Sequence, residues 1–216
     1  MSSSTKFLNF DNMLCLSPHP DDVEYAMLGS ALKFKETKFD IVCMTRGGKF
    51  DSTVNDYNRL DEIKSLWSSS KVRNVNLFFT EFDHISDMDE DSWINFIENS
   101  FMRESRYDGI LIPSNEDSHF EHRKVSKLGF ALIRSSLISL VEYATPSALQ
   151  TWNPNFFVDV SENIIEKKKL LRHFISQREK MYFDDATIDG FHTDFQCMKR
   201  GMKNVEKFRI LNFYQR

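Results

Sequence analysis

One short segment near the start of the chain carries side chains that are suited to binding a metal ion. The segment Ser17-Pro18-His19-Pro20-Asp21-Asp22 places one imidazole and two adjacent carboxylates directly after an apolar run that begins at Met13. The two prolines restrict the backbone on either side of His19, and imidazole and carboxylate are both common zinc ligands. A cation would also offset the repulsion between the two neighbouring carboxylates. The segment therefore predicts a metal site.

The same segment also fits a structural interpretation. Asp is common at the start of a helix, where its carboxylate accepts hydrogen bonds from free backbone N–H groups. Asp21 or Asp22 could cap the helix that follows, in which case His19 would be an ordinary loop residue. Taken alone, the segment leaves both interpretations open.

A second segment, residues 115–122, contains a His-x-x-His pair formed by His119 and His122, and it follows an apolar run that ends at Pro113. At this spacing the two imidazoles lie on nearly the same side of a helix, and a neutral imidazole is the commonest protein ligand for zinc. One such pair arises easily by chance, but two clusters in equivalent positions after apolar runs could share one ion. Two imidazoles and one carboxylate leave coordination positions open for water and substrate, which is the arrangement of catalytic sites.

The rest of the sequence predicts the elements that position these two segments. Apolar and β-branched runs predict strands over residues 13–17, 41–44, 75–79, 109–112, 140–143 and 156–160. Apolar residues at three- and four-residue spacing predict helices over residues 24–35, 58–69, 91–105, 122–136 and about 162–176, and the tail to residue 216 is less regular. This alternation favours an α/β fold in which helices cover both faces of a mostly parallel sheet. Ligands of such sheets bind beyond the carboxyl ends of the strands, where both segments lie.

The composition excludes several classes of protein. The chain has 216 residues, of which 41% are hydrophobic and 28% charged, so we expect one domain over residues 1–216. The net charge of −4, with both signs interspersed, argues against nucleic acid or an anionic membrane as a partner. No run reaches the roughly 20 apolar residues of a membrane span, and no Gly-rich nucleotide motif occurs. Three widely spaced cysteines and the absence of a signal peptide are typical of a cytoplasmic protein.

Taken together, the two segments resemble the LmbE-like or PIG-L family of metal-dependent N-deacetylases, whose signature is Pro-His-Pro-Asp-Asp followed by a distant His-x-x-His. The resemblance covers nearly the full length and implies a Rossmann-like three-layer α/β fold. The other matching stretches, in order, are Thr45-Arg46-Gly47-Gly48, Arg59-x-x-Glu62, Asp117-x-His119-x-x-His122, Pro154-Asn155-x-Phe157-x-Asp159-Val160-Ser161 and His173-x-x-Ser176-Gln177. One departure is that the signature glutamate, Glu24, stands after an inserted valine, which leaves its role open.

The resemblance implies roles for five residues. His19, Asp22 and His122 would bind Zn²⁺, with Fe²⁺ or another divalent metal as the alternative, since mixed imidazole and carboxylate ligands suit both ions. Zinc lowers the pKa of water from about 15.7 to about 7, and Asp21 would be the general base that accepts the proton. His119 would stabilise the oxyanion that forms on the amide. Either Asp21 or His119 would then protonate the leaving amine.

The resemblance also implies a substrate. Arg59 matches a substrate-binding arginine and Asp83 an acidic residue that contacts sugar hydroxyls, so we expect an acetamido sugar or glycan precursor of the N-acetylglucosamine type. A homo-oligomer is compatible with this reading. The structural alternative for Arg59 is a helical ion pair with Glu62, and for Asp83 an ordinary turn.

Two other functions fit the same ligand set. A non-haem Fe(II) oxygenase also uses two histidines and one carboxylate, but its usual setting is an all-β barrel and it does not require the additional carboxylate of Asp21. A non-catalytic carbohydrate-binding protein that has kept the fold is the second alternative, because fold alone does not determine function. The presence of both Asp21 and His119 favours the enzyme.

Overall fold

The computed structural model describes residues 5–47, 58–103, 106–134 and 136–214. The strands formed by these residues are β1 (Asn12–Ser17), β2 (Lys38–Cys43), β3 (Val75–Phe79), β4 (Gly109–Pro113), β5 (Ser139–Tyr143), β6 (Phe156–Asp159) and β7 (Val205–Asn212). Within the described part of the chain they make one seven-stranded sheet in the order β3-β2-β1-β4-β5-β7-β6. The first five strands are parallel, and β7 is antiparallel to both of its neighbours.

Helices cover both faces of this sheet. Their bounds are α1 (Asp22–Lys33), α2 (Arg59–Ser70), α3 (Glu90–Ile97), α4 (Phe120–Leu132), α5 (Ile164–Leu171), α6 (Asp185–Phe191) and α7 (Phe195–Met198). The helices α1, α2 and α5 pack together on one face, whereas α3 and α4 pack on the other. The predicted α/β fold with a mostly parallel sheet is confirmed. In the described ranges, no helix combines the length and the apolar character that crossing a membrane requires.

The central strand β1 shows why the strands read as continuous apolar runs. Met13 and Cys15 belong to the hydrophobic core under α1 and α5, whereas Leu14 and Leu16 belong to the core under α3 and α4. Side chains alternate between the two faces of a strand, so a strand that is covered on both faces needs apolar residues at every position.

The tail of the chain is more regular than its sequence indicates. It contains α6, α7 and β7, and β7 lies inside the sheet between β5 and β6. Charged residues interrupt the apolar pattern of β7, but these charges are paired. Glu206 is fully buried with Lys167 of α5, and Arg209 lies 2.6 Å from Glu142 of β5. The sequence pattern could not reveal the strand because its charges are compensated by distant residues.

The sheet order places the two candidate metal-binding segments side by side. The chain proceeds outward from β1 in one direction through β2 and β3, and in the other through β4 and β5. Between β1 and β4 the loops at the carboxyl ends diverge to opposite faces, which opens the crevice where ligands of such sheets bind. The segment after β1 and the segment after β4 border this crevice.

Candidate metal centre and active site

The loop after β1 is held in place by hydrogen bonds to its own backbone. Ser17 Oγ donates to His19 O at 2.6 Å, and Thr45 Oγ1 donates to Pro18 O at 2.7 Å. The carboxylate of Asp22 accepts the backbone N–H of His19 at 2.9 Å, and Asp21 makes no side-chain cap to α1. The two carboxylates therefore do not serve as helix caps in the way the structural interpretation requires.

Asp21 occupies a strained backbone conformation. Its φ is 150° and its ψ is −24°, a combination that residues with a Cβ rarely adopt. Such conformations cost on the order of 1–3 kcal/mol and persist where the surrounding structure holds them. Asp21 lines the same cavity as His19 and His122.

The loop after β4 supplies two imidazoles at the start of α4. His119 is the residue that precedes the helix, and its Nδ1 accepts the backbone N–H of Glu121 at 3.3 Å. His122 lies one turn further and is buried, while His119 is exposed. Their rings stack, with centroids 4.5 Å apart.

Three potential ligand atoms from the two loops converge. Asp22 Oδ2 lies 3.0 Å from His19 Nδ1 and 3.3 Å from His122 Nε2, and these two nitrogens are 3.3 Å apart. Ligand atoms at 2.0–2.1 Å from a tetrahedral zinc ion are separated by roughly 3.3 Å, so the spacing fits one ion. The three imidazoles, including His119, offer ligand atoms within 4.8 Å of one another, a wider spacing. The group with Asp22 is thus the better match to a single ion.

The electrostatics of this cluster favour positive charge. Burial lowers the pKa of His19, but Asp22 and Glu121 outweigh it and raise the pKa to about 9. Burial likewise opposes the charge on His122, whose pKa Asp22 and Asp117 raise to about 10. Asp22 has its own pKa held well below the usual range by the two imidazoles, against the effect of burial. The same carboxylates that raise the pKa of these imidazoles would also stabilise a bound cation, which competes with protons for such ligands.

Each of the two buried imidazoles contacts a second carboxylate in addition to Asp22, and this second carboxylate, called its brace below, lies at the other ring nitrogen. Glu121 Oε2 lies 2.7 Å from His19 Nε2, and Asp117 Oδ2 lies 2.9 Å from His122 Nδ1. Asp117 in turn accepts hydrogen bonds from Thr145 at 2.8 Å and from Ser147 at 2.7 Å. Such partners fix the orientation of the ring and raise its basicity as a ligand. The other nitrogens of the two rings, His19 Nδ1 and His122 Nε2, face Asp22 Oδ2.

The roles of Asp117 and Glu121 beside the two rings are not predicted from the sequence, where Asp117 is only a position in a matching motif. The signal that could have found them is the acidic residue five positions before His122 and the one immediately before it. Glu24, whose role the sequence left open, is fully buried and accepts a hydrogen bond from Trp67 at 2.8 Å.

Arg59 faces Asp21 across the cavity. Arg59 Nη1 lies 4.0 Å from Asp21 Oδ1, whereas Glu62 accepts hydrogen bonds from Ser176. The helical ion pair between Arg59 and Glu62 is therefore not formed. Burial raises the pKa of the Asp21 carboxyl to about 6, with Arg59 lowering it and the neighbouring Asp22 carboxylate raising it.

Gly47 makes room for the Arg59 side chain. A Cβ on Gly47 would lie 2.7 Å from Arg59 Cδ and Nη1, and the φ of Gly47 is +90°. A residue with a side chain at this position would suffer both the clash and the backbone strain. The tight fit of Arg59 over Gly47 directs the guanidinium toward Asp21.

These groups share one cavity of about 410 Å³, within the usual range for small-molecule sites. Of the residues singled out in the sequence, it brings together His19, Asp21, Asp22, Arg59, His119 and His122. Asp83 is not among the lining residues; it lies in the turn after β3, where its N–H donates to Asp87 Oδ2 at 3.0 Å. The contact of Asp83 with substrate therefore stays a prediction. Lining residues that the sequence analysis did not single out include Tyr25, Thr145, Ser147, Lys180, Tyr182 and Phe183.

Comparisons with known proteins agree on the fold. A diacetylchitobiose deacetylase of Thermococcus kodakarensis is 25% identical over an alignment of 200 residues, and the match covers 79% of this chain and 72% of that protein. The N,N'-diacetylchitobiose deacetylase of Pyrococcus horikoshii superposes with a TM-score of 0.76 at 20% identity, covering 96% of this chain and 86% of that one. GalB of Pseudomonas putida, a 4-carboxy-2-hydroxymuconate hydratase, gives 0.74 at 13% identity, covering 95% of this chain and 97% of that one. Since a hydratase shares the fold, the fold alone does not determine the reaction.

The family comparison includes both segments of the site. The family described as PIG-L, GlcNAc-PI de-N-acetylase, matches residues 14–133, which are more than half of the chain. This range begins in β1, ends after α4 and contains every residue of the convergent cluster. The resemblance seen in the sequence is confirmed, and the chain belongs to the PIG-L family.

Proposed function

We propose that this protein is a metal-dependent deacetylase that removes the N-acetyl group from an acetamido sugar or sugar conjugate. The observation that carries the proposal is the convergence of His19 Nδ1, Asp22 Oδ2 and His122 Nε2 within 3.0–3.3 Å, with Asp21 lining the same cavity. Membership of the PIG-L family and the two diacetylchitobiose deacetylases support the reaction and the sugar.

A divalent ion, Zn²⁺ or Fe²⁺, would be held by His19, Asp22 and His122. When bound, such an ion supplies Lewis acidity, which lowers the pKa of water and polarises the amide carbonyl. The donor set fits because it combines two braced imidazoles with one carboxylate, and three protein ligands leave room for water and substrate.

Asp21 would accept the proton of the attacking water. A general base works best when its pKa lies near the working pH, and burial raises the pKa of Asp21 to about 6. The carboxylate is thus mostly ionised at neutral pH and still able to hold the proton. Arg59 faces the other side of the carboxylate and keeps it from becoming more basic.

His119 would stabilise the negative charge that develops on the amide oxygen. Partial desolvation of the ring and the two neighbouring imidazoles, His122 and His19, lower the pKa of His119. Because its Nδ1 accepts the N–H of Glu121, the neutral ring carries its proton on Nε2. A neutral donor next to the developing oxyanion contributes electrostatic stabilisation. Either Asp21 or His119 would then protonate the leaving amine. Comparing a variant of each residue for release of the amine product identifies the proton donor.

The two alternative functions are less well supported. A non-haem Fe(II) oxygenase usually forms an all-β barrel, and the fold here is α/β with a mostly parallel sheet. A non-catalytic sugar-binding protein would not need the strained Asp21 beside the convergent cluster.

The test combines metal analysis with an assay of acetate release. We expect protein purified without added metal to contain one divalent ion per chain, chelation to abolish acetate release from the best acetamido sugar of a panel, and the metal to restore it. His122→Ala should lower the metal content. The matched control is His173→Asn, since His173 bonds Ser65 and lies outside the cavity. Full metal content with full activity in His122→Ala would refute the ligand set, and sugar binding without acetate release would identify a binding protein.

A further inference from the structure

One wall of the cavity is built from the tail of the chain. Residues 180–183 lie outside the range of the family match and line the cavity through Lys180, Tyr182 and Phe183. The segment is anchored, because Tyr25 Oη donates to Tyr182 O at 2.8 Å and the Phe183 ring contacts Phe174 with centroids 5.9 Å apart. The backbone of Tyr182 and the ring of Phe183 are therefore held in place beside the site.

Among the described residues, two cations line this cavity, and Arg59 alone of the two has a described carboxylate beside it. Arg59 faces Asp21 at 4.0 Å, and Asp22 is turned to the imidazoles of His19 and His122. Within the part of the chain that the structure describes, no carboxylate lies within 4.0 Å of Lys180 Nζ. Its contact is the Tyr182 ring, whose centroid lies 5.6 Å away.

The two cations also repel each other. Lys180 is exposed to solvent, and loss of hydration of its ammonium group beside the cavity wall, followed by the nearby Arg59 guanidinium, lowers its pKa against the attraction of Asp21 and Asp22. Like charges in one site are unfavourable unless an opposite charge lies close to both. An anion bound between Lys180 and Arg59 would remove this repulsion.

The side chains of Lys180 and Tyr182, and of Arg59 beside them in the same cavity, can each donate a hydrogen bond. Guanidinium and ammonium groups have no acceptor, and burial raises the pKa of the Tyr182 phenol to about 12, so that its hydroxyl stays protonated. No described residue forms a hydrogen bond with this hydroxyl. Two cationic donors and one hydroxyl donor together suit a group that only accepts hydrogen bonds, which is the character of phosphate and carboxylate.

We propose that Lys180, Arg59 and Tyr182 form a subsite for an anionic substituent, phosphate or carboxylate, on the acetamido sugar. The substrate class is then an acidic acetamido sugar, and this assignment rests on the proposed deacetylase function. The amide faces the convergent cluster while the anionic group lies against the tail segment, so one molecule spans both walls of the cavity.

The test compares neutral and acidic sugars with the same acetamido group. The probes are N-acetylglucosamine, its 1-phosphate, its 6-phosphate and its uronic acid, assayed by acetate release with metal-loaded enzyme. We expect at least one acidic sugar to have a higher kcat/KM than the neutral one, through a lower KM. Phosphate and carboxylate are distinguished by which probe gains most. The proposal is overturned if the neutral sugar is cleaved as efficiently as all three acidic ones.

Variants of Lys180 connect this preference to the subsite. Lys180→Gln should reduce the ratio of kcat/KM for the acidic sugar to that for the neutral one on the order of tenfold, and Lys180→Arg should restore most of it. The matched control is Lys169→Gln, which removes an exposed charge from α5 and should leave the ratio unchanged. A ratio that stays within about twofold of wild type in Lys180→Gln contradicts the subsite.

The measurements distinguish refutation of the subsite from refutation of the deacetylase function. If no sugar releases acetate, binding of the acidic sugars is measured directly by calorimetry. Tighter binding of an acidic sugar than of the neutral one, lost in Lys180→Gln, supports the subsite and refutes the reaction. Equal binding of neutral and acidic sugars refutes the subsite. Acetate release with no charge preference refutes only the subsite.

Discussion

The two walls of the cavity are built in opposite ways. On the inner wall, His19 and His122 are buried, and each has one ring nitrogen fixed by a carboxylate within 2.9 Å. On the outer wall, Lys180 has no carboxylate partner among the described residues, and the hydroxyl of the half-buried Tyr182 forms no hydrogen bond with them. Carboxylates behind the inner wall thus fix its imidazoles, whereas no described carboxylate or hydrogen-bond partner fixes the ends of the Lys180 and Tyr182 side chains.

This contrast separates two tasks. A site that binds a metal and performs chemistry needs side chains fixed within a fraction of an ångström, which is achieved by hydrogen bonds to the residues behind them. A site that selects a substrate needs groups whose hydrogen-bonding capacity is left for the ligand. Changes on the inner wall should therefore affect turnover and metal content, and changes on the outer wall should affect KM and substrate preference.

The largest effect is expected for Asp21→Asn. The amide keeps the shape of the side chain and removes its basicity, so kcat should fall on the order of 10² to 10⁴-fold while the metal content is unchanged. The measurements are steady-state acetate release and metal analysis of the same sample. The matched control is Asp61→Asn, since Asp61 is exposed near the start of α2 and pairs with Lys64. Near-normal turnover in Asp21→Asn would move the base to another residue.

A smaller effect is expected for Asp117→Asn, which weakens the brace behind His122. The neutral amide can still accept a hydrogen bond from the ring but no longer stabilises it electrostatically, so metal affinity should fall on the order of 10- to 100-fold. Competition with a chelator of known affinity measures this change. Asp89→Asn is the control, because Asp89 caps the remote helix α3 and Asn is an equally good cap. An unchanged metal affinity would mean that the inner wall does not depend on its braces.

The predictability of the two walls from the sequence also differs. The inner wall was predictable because β1 and β4 are buried on both faces, so their apolar runs locate the loops that follow, and the loops carry residues of recognisable chemistry. The outer wall was not, because Lys180 and Tyr182 follow no strand, and only the packing of the tail brings them to the site. Local sequence patterns contain no information about such distant contacts.

The bounds of one strand also differ between the sequence prediction and the structure. The predicted strand over residues 41–44 is the strand Lys38–Cys43, which begins with Lys38 and contains Asp40. Asp40 is compatible with the strand because it accepts hydrogen bonds from Asn76 and Tyr107 at 2.7 Å each. As in β7, polar residues conceal part of a strand when their partners are distant in the sequence.

A third prediction concerns Arg59→Ala and Asp83→Ala. Arg59 lines the cavity and faces Asp21, so its loss should lower kcat/KM for the best acetamido sugar on the order of tenfold, mainly through KM, with metal content unchanged. Asp83→Ala should have a smaller effect in the same direction if Asp83 reaches the sugar. Loss of metal from Arg59→Ala would contradict the claim that Arg59 affects substrate binding and not metal content. The substrate role of both residues is refuted if both variants keep the kcat/KM of wild type.

The smallest effect concerns His192, which lies behind the outer wall. It is fully buried, and its ring lies 6.0 Å from that of Tyr25, the residue whose hydroxyl holds the backbone of Tyr182. Burial, followed by the charges of Lys167 and Lys207, lowers the pKa of His192 well below its usual range. The folded protein therefore holds this ring neutral, whereas in the unfolded chain it titrates near 6.5.

Because the folded pKa is the lower one, the unfolded state takes up the proton first as the pH falls. The contribution of His192 to the free energy of unfolding is therefore fully present above about pH 6.5 and is lost below it, by at most about 1.4 kcal/mol per pH unit for one proton. Urea unfolding of metal-loaded protein between about pH 7 and about pH 5 should show a shallower decline for His192→Gln than for wild type. The slope is the readout because the substitution itself shifts the absolute stability at every pH. If the free energy of unfolding falls with pH by the same slope in both proteins, protonation of His192 does not destabilise the residues behind the outer wall.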